Sequence, residues 1–216
     1  MSNDKPTLVV TPVGELHFVN ISGKGKENYN QDGYNYVATV YLSGEKAEIL
    51  KTKIDEVLGE VPKGVELRST GYRRILKDAE GNLFAETSKK KDGEDTGITA
   101  FTFQTRTTFE DGRPTTINVY NKDAKKVDLG GRMIGNGSEG AISGKMQRFE
   151  AGPKNARECG VSLFLNAIQL TKFVEYSGSA GFEAQEGEFT ATQETETGFT
   201  GAVEETKIEA TSRPKL

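Results

Sequence analysis

The chain has 216 residues, a net charge of −4, 25 glycines, six prolines, one cysteine and no tryptophan, a length that can bury one sizeable core with residues left over for a tail. Cys159 alone excludes an intrachain disulfide and a cysteine-based zinc site. No basic leader followed by an apolar segment opens the chain, and no run approaches the ~18 apolar residues of a membrane span, so a soluble, intracellular protein with no membrane partner is expected.

Glycine stands at roughly 12% against an average near 7%, which favours a turn-rich β protein. Val13 to Ile21 reads as a first strand, followed by the Gly-, Asn- and Lys-rich loop from Ser22 to Gly33 that carries Tyr29. Tyr34 to Leu42 (YNYVATVYL) is dense in β-branched and aromatic residues and reads as a second strand. Ser43 is placed to cap a helix from Gly44 to about Leu58, with Ala47, Leu50, Ile54 and Val57 at helical spacing and Gly59 and Pro62 ending it. Val65 to Leu76 is a third strand carrying Tyr72 and Arg73, and Lys77 to Gly97 is a charged insertion expected to be mobile.

Ile98 to Phe109 alternates strictly. Phe101, Phe103, Thr105, Thr107 and Phe109 share one side; Thr102, Gln104, Arg106 and Thr108 share the other. After the turn Glu110 to Pro114, Ile117 and Val119 point inward while Asn118 and Tyr120 point outward, so the two runs read as a hairpin whose polar face carries Arg106 and Tyr120. Gly135 to Gly140 spells G-x-G-x-x-G, but a strand-like AISGKMQRF follows where a dinucleotide fingerprint needs a helix, which leaves a tight glycine connection. Ala141 to Phe149 is a further strand. In Val161 to Tyr176 the inward phase switches near Asn166, as a bulge would make it do.

From Ser177 the periodicity disappears, which divides the chain into a domain of residues 1–180 and a disordered acidic tail of residues 181–216. The tail holds eight Glu against Lys207, Arg213 and Lys215, a net of −5, whereas Lys63 to Arg148 holds sixteen Lys or Arg against twelve Asp or Glu, a net of +4. Phe182, Phe189 and Phe199 recur in the tail among acidic and small residues, a pattern that suits a docking peptide.

His17 is the only histidine, so any Ser-His-Asp or Cys-His arrangement would need it, and its place in a strand between Leu16 and Phe18 argues for packing. Asp92, Glu94 and Asp95 have no second set of ligands. No catalytic residue, metal or cofactor is expected. The aromatic and basic residues, by contrast, are spread along strands and loops: Tyr29, Tyr34 and Tyr36; Tyr72 and Arg73; Arg106 and Tyr120; Lys145, Arg148 and Phe149. Ring faces that stack bases and cations that neutralise phosphates are what a single-strand binder requires. About five long strands, with one helix between the second and third, predict a mainly β chain built as a five-stranded OB-fold barrel, an architecture that binds oligonucleotides on one face.

NYVATVYL before the helix, FTFQTRTTF followed by INVYNKD, the IGNGS turn from Ile134, and the closing GVSLFLNAIQLTKFVEY occur in an order that resembles the single-stranded DNA-binding proteins of tailed phages, the T7-type replisome family. The resemblance implies an OB-fold, sequence-independent binding of single-stranded DNA in phage replication and recombination, and residence in the cytoplasm of an infected bacterial host. It also implies an acidic tail that contacts a replisome DNA polymerase or helicase, a homodimer, and Tyr34, Tyr72, Arg106, Tyr120 and Phe149 as groove residues. The chain departs from the family in ending TSRPKL, without a dense acidic run or a terminal aromatic. A β-rich virion component without DNA contact and an RNA-binding OB module are the alternatives.

Overall fold

The computed structural model describes residues 5–28, 32–87, 89–153 and 156–176. Tyr29 and the whole tail, with the expectations attached to them, lie outside the described residues. The elements are β1 (Thr7–Val10), β2 (Gly14–Asn20), β3 (Lys26–Glu27), β4 (Tyr34–Ser43), α1 (Gly44–Leu58), β5 (Val65–Ser69), β6 (Tyr72–Lys77), β7 (Leu83–Ala85), β8 (Glu94–Arg106), β9 (Asn118–Tyr120), β10 (Lys126–Val127), β11 (Ser138–Ala151) and β12 (Arg157–Lys172). Among the described residues no helix is long and apolar enough to cross a membrane.

The chain is mainly β with one helix, but the expected count of five strands is too low and the barrel is not closed. The ladders run β10-β9-β12-β11-β2-β4-β8-β6-β7 as an open path. The five long strands β12, β11, β2, β4 and β8 stand next to one another in an OB-like order, and short strands decorate their edges. The predicted strand from Val65 to Leu76 is two strands, because the chain turns at Gly71, whose φ of +81° is a left-handed value that glycine tolerates. Before this turn β5 pairs in parallel with β12; after it β6 pairs with β8. The Thr70–Gly71 connection thus carries the chain from the edge of β12 to the edge of β8.

Period-2 alternation explains the core. Leu16 on β2, Ala38, Val40 and Leu42 on β4, Phe101 and Phe103 on β8, and Ile142 and Met146 on β11 are buried together with Ala47, Leu50, Ile54 and Leu58 of the helix. Gly144 of β11 admits Phe103: a Cβ there would lie 2.7 Å from that ring and 2.4 Å from the Phe164 carbonyl oxygen. On β12, Val161, Leu163 and Leu165 point inward, then Ile168 and Leu170 do, and the register slips so that Ser143 faces Ala167 while Gly144 faces Leu165. The bulge expected at Asn166 is there.

Two local expectations fail for identifiable reasons. Lys77 to Gly97 carries β7 and the start of β8, both laddered to β6, since Leu83 and Phe84 give that segment apolar residues to pair. The hairpin after Phe109 closes only briefly, through Phe109 N–H to Arg113 O and Thr115 N–H to Thr107 O. The chain then leaves, and β9 pairs in parallel with β12 and antiparallel with β10. Phe109, expected inside, is exposed, with the Arg113 guanidinium 5.5 Å from its ring centre.

Candidate nucleic-acid interface

Because β4 and β8 pair in register, their outward residues form one surface: Asn35 opposite Arg106, Val37 opposite Gln104, Thr39 opposite Thr102, and Tyr41 opposite Ala100. The Thr39 and Thr102 hydroxyls bond across the ladder at 3.0 Å. β6 extends this face with Arg73 beside Ala100, and β2 extends it with His17 beside Thr39. Two hollows of about 520 and 740 Å³ lie on this surface and share Lys26, Val37, Arg73, Thr102 and Gln104 as walls, which makes them one continuous groove. The β8 stretch from Ala100 to Arg106 along its floor spans about 20 Å.

Aromatic residues stand along the groove. Phe18, Tyr41, Tyr72 and Phe149 contribute to the first hollow and Phe164 to the second. The Tyr41 ring stacks on His17 with centroids 3.9 Å apart and planes 18° apart. Burial, and then the nearby Glu15 charge, push the Tyr41 hydroxyl above its ordinary pKa, so it remains a neutral donor. Phe149 sits opposite Gly160 on β12, and its ring fills the space a Cβ would need, 2.8 Å from that position. Tyr72 belongs partly to the core: its ring tilts against Phe101 at 5.7 Å, and burial first, then Asp55, raise its pKa.

The cations are graded by what already holds them. Arg73 makes no salt bridge among the described residues. Arg106 lies 3.9 Å from Asp32, and Arg68 bonds Glu158 at 3.0 Å. With Lys26 these make four cations in the walls against the carboxylates of Glu27 and Asp32.

The structure therefore brings Tyr72, Arg73, Arg106 and Phe149 to one groove, and Lys145 stands directly across the β11–β12 ladder from Phe164. It does not bring Tyr34, Tyr36, Tyr120 or Arg148 there. Tyr34 and Tyr36 lie on the opposite phase of β4: Tyr36 packs against the core and donates to Gly23 O, and Lys24 covers the Tyr34 ring at 4.4 Å. Tyr120 sits on β9, beyond β12, next to Gln169 and Lys126. The Arg148 guanidinium bonds Leu58 O at the C-terminal end of the helix and Glu150, an assignment in which a cation meets unsatisfied helix carbonyls. Sequence reasoning missed Phe18, Lys26, Tyr41, Arg68 and Phe164. Tyr41 was within reach, since the inward phase of Ala38, Val40 and Leu42 makes Tyr41 outward.

No protein-family model and no curated protein sequence matches the chain. Among solved structures it is similar to gp2.5, a single-stranded DNA-binding protein encoded by bacteriophage T7, with 15% sequence identity, 87% of this chain and 100% of that chain covered, and a TM-score of 0.57. The two share a fold. A single-stranded DNA-binding protein from bacteriophage Enc34 aligns at 11% identity over 82% of this chain and 87% of that chain, with a TM-score of 0.43. The fold assignment rests on the T7 protein.

Proposed function

We propose that this chain is a non-enzymatic single-stranded DNA-binding protein that coats transient single strands during phage DNA replication and recombination. The observation that carries this reading is the continuous groove on the β2-β4-β8-β6 face, where four aromatic rings at one end adjoin a wall of Arg68, Arg73, Arg106 and Lys26 at the other. Its presence on a fold shared with a protein described as single-stranded DNA-binding supports the same conclusion. Rings stack bases irrespective of identity, for about 1 to 3 kcal/mol each, while the cations neutralise phosphates and make affinity salt-dependent. Phe182, Phe189 and Phe199 in the acidic tail are proposed to dock a replisome DNA polymerase or helicase.

Titration of fluorescently labelled oligo-dT, mixed-sequence DNA and oligo-rU at two salt concentrations tests the proposal. The two DNAs should bind within about tenfold of each other and both should weaken as salt rises. A clear preference for oligo-rU would instead identify an RNA-binding module, in which the 2′-hydroxyl is read. Absence of binding to all three would favour a virion component.

A further inference from the structure

Phe18 is the one aromatic residue of the groove that the backbone must be distorted to present. Alternation from the buried Leu16 would send Phe18 into the core. Instead the β2–β4 register slips, His17 facing Thr39 and Asn20 facing Val37, so that an extra residue is accommodated on β2. Val19 takes the inward place, packed against the core, and Phe18 is turned out into the groove with 64% of its surface exposed. Its φ is +52°, a left-handed value that a bulge ordinarily gives to glycine. Exposing a large apolar ring and straining its backbone both work against stability. Such strain persists where surrounding structure holds it in place.

The holding group is Asn136. Its side-chain oxygen accepts the Phe18 N–H at 2.9 Å, from a residue 118 positions away. Asn136 lies in the glycine connection at Ile134 to Ser138, and Gly135 before it and Ser138 two residues after it are both held against the closing strand's exit. A Cβ on Gly135 would lie 3.0 Å from both the Glu175 oxygen and the Tyr176 nitrogen, and the buried Ser138 hydroxyl both donates to Val174 O and accepts from Val174 N. The connection is a rigid bracket whose exposed member reaches the bulge.

Resting on the single-strand-binding reading above, we infer that Phe18 is a base-stacking residue of the groove and that Asn136 is the positioning residue that clamps its bulge outward. The chain contains no tryptophan, so Phe18→Trp installs a single reporter at this point. Saturation with oligo-dT should quench its fluorescence, while Phe109→Trp, on an exposed turn outside the groove, should stay unchanged. Phe18→Ala should weaken oligo-dT binding by roughly tenfold, and Asn136→Ala should weaken it less. Phe18→Gly should bind as poorly as Phe18→Ala yet melt roughly 2 to 4 °C higher than the parent, because glycine relieves the positive φ. Unquenched Phe18→Trp in a complex detected by anisotropy of the labelled oligonucleotide would overturn the stacking role while leaving the groove intact. Full affinity in Asn136→Ala, or a lowered melting temperature in Phe18→Gly, would overturn the clamp. Failure of the parent protein to bind would remove the groove reading and this inference together.

Discussion

Arg73 and Arg74 are consecutive on β6 and chemically identical, yet the structure separates their duties, and their alanine variants should separate in the same way. Arg73 projects onto the groove face without a salt-bridge partner among the described residues. Arg74 grips Glu86 through two bonds of 2.9 Å and reaches Asp95 at 3.3 Å, so its guanidinium is committed and its pKa raised, chiefly by Glu86. Each phosphate neutralised on a single strand contributes about −0.7 to the slope of log K against log salt. Four groove cations set an upper bound near −3, and Arg73→Ala should make the slope shallower by about 0.7. Extrapolated from about 1 M to about 0.1 M salt, that change corresponds to roughly fivefold weaker binding. Arg74→Ala should leave the slope unchanged. The assay is anisotropy of labelled oligo-dT across a salt series for the parent and both variants. Equal changes in the two variants, or a slope unaltered in Arg73→Ala, would refute the division of labour and with it the position of the phosphate track.

Arg148→Ala should destabilise the fold by about 1 to 3 kcal/mol in urea unfolding, since it strips a partner from Leu58 O and from Glu150 at a side chain only 14% exposed. Its oligo-dT affinity should stay within about twofold of the parent, and a large loss of affinity in a stable variant would show that the guanidinium also serves the groove. His17 supplies a pH test: burial lowers its pKa below 6.5, partly offset by Glu15, whose carboxylate is 2.9 Å from Nε2 but not aligned for a hydrogen bond. The folded state therefore resists protonation more than the unfolded chain, so this contribution to stability is intact above pH 6.5 and is lost as pH falls below it. Between about pH 8 and pH 5 the melting temperature should fall less steeply in His17→Gln than in the parent, and equal falls would refute the assignment.

What could be read in the sequence was whatever a single strand or helix determines by itself. Phe101 and Phe103 on one phase, the helix from Gly44 to Leu58 and the bulge at Asn166 all follow from local periodicity, because burial imposes a period of 2 or 3.6 on any element that lies against a core. Pairing is different, since alternation says which residues share a face and not which strand lies alongside. Arg106 and Tyr120 looked like neighbours on the polar face of one hairpin, but β9 pairs with β12, setting Val119 against Ile168, and the two residues part company at that point. The same gap hid the groove. Aromatic density directed attention to Tyr34 and Tyr36, whereas the ladder that sets Asn35 against Arg106 turns Tyr41 outward and gives Tyr36 to the core. Arg148 looked free because nothing in its own strand shows that a helix ends beside it. Phe18 was hidden for the opposite reason: it breaks the local rule, and its outward position depends on a contact with Asn136 far along the chain. A residue that follows its strand's period can be explained by packing alone. One that departs from it at an energetic cost, and is held there by a distant bracket, needs a reason outside the fold, and in this groove the reason consistent with an exposed ring is a base to stack on.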